Sequence, residues 1–83
     1  MYYVYIIKSK KRAWKYIGFC EDLEKRFSEH NKGKVKASCP YKPFELVYYE
    51  AFVNKSDARA EELFLKTGKG RERLKYLFRN YLK

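Results

Sequence analysis

The chain opens with an unbroken apolar and aromatic run, Tyr2-Tyr3-Val4-Tyr5-Ile6-Ile7. Both alternating sets of this run are apolar, and it is rich in β-branched and aromatic residues. Tyr2–Lys8 therefore predicts a strand buried on both faces, at the centre of a sheet. Ser9–Ala13 is polar and basic and has the length of a hairpin loop. Trp14–Gly18 predicts a second, antiparallel strand, ending at Gly18 where the backbone must turn or approach another group closely. Asp22 is placed to accept from the N–H groups two or three residues on, so a helix is expected from Leu23 to about Lys32, with Gly33 ending it. Lys34–Pro43 shows no helical period and reads as a basic loop.

Phe44–Val53 is again apolar on both alternating faces and predicts the third strand. Asn54 or Ser56 can cap a second helix over Lys55–Lys66, which Gly68 and Gly70 should break. A third helix is expected over Arg71–Leu82, with Leu74, Leu77, Phe78 and Tyr81 on one face. The order is ββαβαα. The fold class this implies is α+β: a three-stranded, mostly antiparallel sheet flanked by helices, in a single domain spanning residues 1–83. A domain of this size buries only about 60–65% of the surface its unfolded chain exposes. Its nine Tyr, six Phe and one Trp offset that limit, since each ring removes a large area from water.

Charge narrows the choice of partner. Twenty Lys and Arg face ten Asp and Glu, a net charge of +10. Such an excess on one small domain points to an anionic partner, with nucleic acid first. No basic amphipathic stretch stands apart from the fold, so a membrane surface is not expected. Cys20 and Cys39 are too few for a disulfide framework and lack metal-site spacing, which suits two reduced cysteines in a cytoplasmic protein. The apolar run at Tyr2 has no basic segment ahead of it, so it does not read as a signal peptide. No apolar run approaches the ~18 residues needed to span a bilayer.

The helices carry polar residues where apolar ones are expected. At about 100° per residue from Leu23, Phe27 falls at about +40°, His30 at about −20° and Arg26 at about −60°. Arg26 and His30 thus share the inward stripe, where a titratable group is costly unless paired or at a cleft. An arginine snorkelling at the stripe's edge and a satisfied helix-end histidine fit the same spacing. On the second helix, from Ala58, Leu65 falls at about −20°, Glu62 at about +40° and Glu61 at about −60°. One carboxylate facing a basic site could hold a divalent cation by its oxygens, or form an ordinary ion pair. Periodicity does not choose between Glu61 and Glu62.

Taken together, these residues resemble a known signature. Val4-Tyr5-Ile6, ten-residue spacing to Tyr16-Ile17-Gly18, then Arg26 and His30, is similar to the motif set of the GIY-YIG nuclease family. Val4 departs from the glycine of the first triplet; the second triplet matches fully. Ala58–Lys66 resembles the family's glutamate helix, with Glu62 in the acidic position. The resemblance covers nearly the whole chain and is strongest to small stand-alone members. It implies phosphodiester hydrolysis on DNA with one divalent metal ion, Mg²⁺ or Mn²⁺, per site, in a setting such as repair or recombination.

In that resemblance Tyr5 is general base or water-positioner, and Tyr16 helps to position water or phosphate. Arg26 stabilises phosphate charge, His30 assists proton transfer or holds phosphate, and Glu62 is the metal ligand. A phosphodiester needs such a set: a metal on a non-bridging oxygen, a positioned base, and a guanidinium fork on the phosphate. Tyrosine is a poor base at its reference pKa of about 10. A nearby cation would lower it, and Lys15, beside Tyr16, is the candidate. Many family nucleases carry a later Asn; here Asn80 lies too far beyond Glu62 to match, and Leu74 and Leu77 stand at the usual distances. Lys15, Lys32, Lys34, Lys36, Lys42, Lys66, Lys69 and Arg71 would supply the nucleic-acid contacts, phosphate contacts without sequence choice. The alternative reading is a non-catalytic nucleic-acid-binding module on the same fold.

Overall fold

A computed structural model describes residues 1–81. The elements run β1 (Tyr2–Ser9), β2 (Lys15–Cys20), α1 (Leu23–Asn31), a 3-10 turn (Cys39–Tyr41), β3 (Phe44–Phe52), α2 (Lys55–Leu65) and α3 (Gly68–Leu77). The strands form one sheet in the order β2-β1-β3, with both pairings antiparallel. The expected α+β architecture and the ββαβαα order are what is observed.

The apolar run is explained by β1's central place. Val4 and Ile6 face a core with Ala58 and Leu65 of α2 and Leu74 and Phe78 at α3. Tyr5 and Ile7 face a second core with Cys20, Phe44, and Leu23 and Phe27 of α1. The sheet is thus sandwiched between α1 on one face and α2 with α3 on the other. β3 reads as apolar as β1 yet is an edge strand, with Tyr49 left exposed. Composition reports an affinity for burial; only topology says which strand has helices over both faces.

Local signals account for the helix ends. The Asp22 side chain accepts from Lys25 N–H at 3.1 Å and starts α1. Gly33 ends it at φ 76°, with its N–H on the His30 carbonyl and that of Lys34 on the Glu29 carbonyl, a paired C-terminal closure that favours glycine. Asn54, not Ser56, caps α2, accepting from Ser56 and Asp57 N–H.

Two expectations need correction. β2 does not end at Gly18 but continues to Cys20. The glycine serves close approach instead: it pairs with Tyr5 across the strands, and a Cβ there would overlap the Tyr5 ring. The third helix begins at Gly68 rather than Arg71, so both glycines lie inside its first turn. Thr67 caps it, accepting from Gly70 N–H at 3.1 Å. Gly70 sits where a Cβ would overlap the carbonyl of Phe64, so it permits α3 to pack onto the end of α2. The third helix ends at Leu77 with Phe78 as its C-cap, well short of the expected Leu82, which lies outside the described residues, and Tyr81 falls beyond the helix and is exposed.

The basic loop Lys34–Pro43 is tied to the sheet. Trp14 stacks on Tyr41 with ring centroids 4.1 Å apart. Ser9 Oγ donates to the Tyr41 carbonyl at 2.6 Å, and Asn31 Oδ1 accepts from Phe44 N–H at 2.6 Å. These bonds bring Ser38 down onto α1, where it is fully buried.

Candidate active site

The tyrosines sit on the α1 face of the sheet because of strand alternation. Tyr5 is an odd position of β1, on the face that α1 covers, and the missing side chain of Gly18 makes room for its ring. Tyr16 stands on the neighbouring strand, its ring 6.3 Å from that of Tyr5. Arg26 and His30, one turn apart on α1, reach this face as the helical period predicts.

Tyr5, Tyr16, Arg26 and Glu62 line one cleft of about 590 Å³. Glu62 comes from α2, a helix whose core residues pack on the opposite face of the sheet. It reaches the cleft with Arg59 and with Phe19 of β2, the edge strand on this side. Lys25, Asp22 and Glu29 of the α1 segment and Lys55 complete much of the wall. Periodicity left Glu61 and Glu62 open. Glu62 is the one in the cleft, and Glu61 meets Glu50 of β3 elsewhere.

His30 does not line the cleft. It is 0% exposed and lies behind Tyr5, with its Nε2 2.7 Å from the Tyr5 hydroxyl. Its Nδ1 is 2.6 Å from Ser38 Oγ. Its ring also packs against Tyr16, centroids 5.1 Å apart, and edge-on to Phe44. Any effect of His30 on a bound phosphate must pass through a neighbour.

The electrostatics follow from enclosure. Burial pushes the Tyr5 hydroxyl well above its ordinary value, with Tyr16 and Cys20 acting in the same direction and Arg26 opposing. The expected lowering by nearby cations does not result: desolvation outweighs Arg26. Lys15 does not help, because its ammonium lies over the Phe78 ring and lines a hollow on the other face. Burial, then Arg26, lowers His30 to about 4, so its imidazole is neutral at ordinary pH. Burial raises Cys20 to about 11, leaving an inert thiol beside the cleft.

Glu62 is 9% exposed and both its oxygens are engaged. Arg59 donates to Oε1 at 3.2 Å and Lys66 to Oε2 at 3.3 Å. Arg59 in turn stacks over Phe19 at 4.2 Å. Arg26 has a looser contact, its Nε 3.7 Å from Glu29. Among the described residues no group of three or more His, Cys, Asp or Glu is placed to hold a metal by itself. A lone carboxylate in a basic cleft still suits a hard cation such as Mg²⁺, which keeps several waters and takes other oxygens from a phosphate.

Of the residues expected to contact nucleic acid, none lines this cleft. Lys15, Lys66 and Arg71 border the second hollow, of about 520 Å³, whose floor is Ile6, Ile17, Leu65 and Leu74. Lys32, Lys34, Lys36, Lys42 and Lys69 are exposed but border neither hollow. Besides Arg26, and Lys66 whose ammonium reaches Glu62, the cations beside Glu62 and Tyr5 are Lys25, Lys55 and Arg59. Sequence reasoning passed over these last three, although Arg59 stands one helical turn before Glu62. It also passed over Ser38, for which no local pattern exists, since its partner lies across a loop. Both cysteines are free, and no helix among the described residues is long and apolar enough to cross a membrane.

Comparison with known proteins agrees with this geometry. A family model described as the GIY-YIG catalytic domain matches residues 1–76. The UPF0213 protein of Staphylococcus saprophyticus is 38% identical over 77 residues, covering 92% of this chain and 93% of its own. That of Clostridium perfringens is 42% identical over 67 residues, covering 80% and 71%. The solution NMR structure of the UPF0213 protein BH0048 from Bacillus halodurans superimposes with a TM-score of 0.56 at 33% identity, over 93% of this chain and 85% of that one. With the match running through both triplets, the helix of Arg26 and the helix of Glu62, this chain belongs to the GIY-YIG family of nuclease domains.

Proposed function

We propose that this protein is a divalent-metal-dependent endonuclease that hydrolyses phosphodiester bonds in DNA with little sequence preference. The observation that carries the reading is the convergence of Tyr5, Tyr16, Arg26 and Glu62 on one cleft, although they come from two strands and two helices on opposite sides of the sheet. A packing role alone gives no reason for a nearly enclosed carboxylate to share a cleft with a buried tyrosine.

Each side chain then has a task. Glu62 would hold the cation, Mg²⁺ or Mn²⁺, with Arg59 and Lys66, now bonded to its oxygens, free to pair with phosphate instead. A divalent cation bound there supplies charge neutralisation at a non-bridging phosphate oxygen and acidifies water. Arg26 leaves its loose contact with Glu29 and sets its planar fork on the phosphate oxygens, where negative charge grows. The Tyr5 oxygen holds the attacking water, and Tyr16 fixes the phosphate from the adjacent strand. Lys25, Lys55 and Arg59 draw the backbone in, a salt-sensitive attraction without base readout.

The test is nicking of supercoiled and branched DNA with Mg²⁺ or Mn²⁺, beside Glu62→Ala and Arg26→Ala. Both substitutions are expected to lower cleavage by about 100-fold or more, while Glu62→Ala still retards DNA in a gel. One observation favours a second reading, the non-catalytic module: Glu62 is fully satisfied by Arg59 and Lys66, as a structural ion pair would be. Binding without cleavage in either metal would establish that reading instead.

A further inference from the structure

Ser38, His30 and Tyr5 form a hydrogen-bonded chain running from the basic loop, through α1, to the cleft. Ser38 and His30 are 0% exposed and Tyr5 is 2% exposed. The contacts are 2.6 Å from Ser38 Oγ to His30 Nδ1, and 2.7 Å from His30 Nε2 to the Tyr5 hydroxyl. Ser38 Oγ is also 3.4 Å from the Val35 carbonyl.

A neutral imidazole has one N–H, so the protons in this chain must all point one way. If Nδ1 carries it, Nδ1–H donates to Ser38, Ser38 donates to the Val35 carbonyl, and Tyr5 donates to Nε2. Every proton in the chain then has an acceptor within the protein. If Nε2 carries it, Ser38 donates to Nδ1 and Nε2–H donates to Tyr5. The Tyr5 proton is then left without an acceptor among the described residues. Ser38 also gives up its bond to the Val35 carbonyl, and the Tyr5 proton must turn to cleft water. The first arrangement keeps every proton of the chain on an acceptor within the protein.

We propose that Ser38 is a positioning residue that keeps the proton of His30 on Nδ1, so that Tyr5 donates to Nε2 and presents only oxygen lone pairs to the cleft. Tyr5 can then only accept a hydrogen bond from a water in the cleft. That turns the water's own lone pair outward, toward a bound phosphate. The catalytic consequence rests on the nuclease reading above; the proton arrangement does not.

The step balances without a further reactant. As the water oxygen bonds to phosphorus, its proton passes to the Tyr5 oxygen. The Tyr5 proton passes to His30 Nε2, and Nδ1–H stays on Ser38. The phosphorus bond to the leaving strand oxygen breaks, and that oxygen takes a proton from solvent. The imidazolium so formed is shared between Ser38 and Tyr5. The charged neighbours acting on it are Arg26, which opposes it, and Glu29, which favours it, both on α1. Tyr16 packs on it from the sheet, and Phe44 adds no charge from β3. A neutral resting imidazole follows from its enclosure, which holds its pKa at about 4.

The protein has one histidine, so its ring can be read without assignment. Two-bond ¹H–¹⁵N correlation spectra of ¹⁵N-labelled protein at neutral pH should show Nδ1 protonated and Nε2 bare. Ser38→Ala should move the ring toward the Nε2–H form, and Ser38→Thr should restore the wild-type pattern. In the nicking assay, Ser38→Ala should lower kcat by about ten- to hundredfold, the usual cost of removing a partner that orients a functional imidazole. KM for DNA should be unchanged, the acid limb of the pH profile should move, and Ser38→Thr should recover kcat. An Nε2–H ring in the wild type overturns the inference whatever the activity, and needs no variant to fold. So does a folded Ser38→Ala with the wild-type ring pattern. Failure of the wild type to cut DNA, with Nδ1–H observed, refutes the nuclease reading and leaves the proton arrangement standing.

Discussion

Gly18 and Tyr5 behave as one unit. The glycine is the third residue of the matching triplet, and its role in the structure is to be absent from the space the Tyr5 ring fills. Gly18→Ala should therefore destabilise the fold by about 1–3 kcal/mol, the usual cost of overpacking. It should also displace the Tyr5 hydroxyl from His30. Urea unfolding of Gly18→Ala, Tyr5→Ala and the double variant tests this: the alanine at position 18 should cost much less once the ring is gone. Helical spacing pointed to Arg26 and His30, whereas Tyr5, Tyr16 and the choice of Glu62 came only from the resemblance. The hidden place of His30 was not legible, because helical phase gives a direction but not the depth at which a side chain stops. Ser38 and Arg59 were missed for a similar reason: their value comes from what other elements bring beside them.

At the scale of elements, α2 matters most, since it alone brings Glu62 to the cleft. Its N-terminus depends on Asn54, whose side chain holds two backbone N–H groups. Asn54→Ala should cost about 1 kcal/mol in thermal or urea unfolding. The two glycines of α3 make a sharper pair. Nothing lies within 4 Å of a Cβ built on Gly68, so Gly68→Ala should stabilise by about 0.4–1 kcal/mol through the unfolded chain. Gly70→Ala should do the reverse, because a Cβ there meets the Phe64 carbonyl and the Leu65 Cα, backbone that has no rotamer to escape into. Read along the chain, both glycines look like breakers. The distinction between them is made by the packing of α3 against α2.

For the whole molecule, two buried titratable groups give opposite pH dependence. Burial, then the facing Glu61, raises Glu50 of β3 to about 7, and one of its oxygens is enclosed with no partner among the described residues. A raised carboxyl stabilises the fold at acid pH, and that contribution is lost as pH rises through about 7. His30, lowered by burial to about 4, contributes fully above the ordinary imidazole range and loses its contribution as pH falls through about 4. Stability should therefore fall on both sides of a mildly acid optimum. Relative to the wild type, Glu50→Gln should gain stability, seen in the urea midpoint, as pH rises from 4.5 to about 7, with no further gain above that. The net charge of +10 adds a separate dependence: DNA affinity should fall steeply and log-linearly with salt concentration, measured by fluorescence anisotropy.

The sequence by itself determined the elements, their order, the central place of β1 and the identity of the residues that face inward. These are consequences of local sterics and of one-dimensional apolar patterns, which each segment carries with it. The tertiary structure alone decided that His30 stands behind Tyr5 and that Ser38 closes the chain behind His30. It also decided that Lys15 faces away from Tyr5 and that β3 takes the edge. Each of these depends on how far two elements distant in sequence approach one another. That distance is set by packing around Gly18 and Gly70 and by the loop tied to Trp14, and no periodicity within a single segment encodes it.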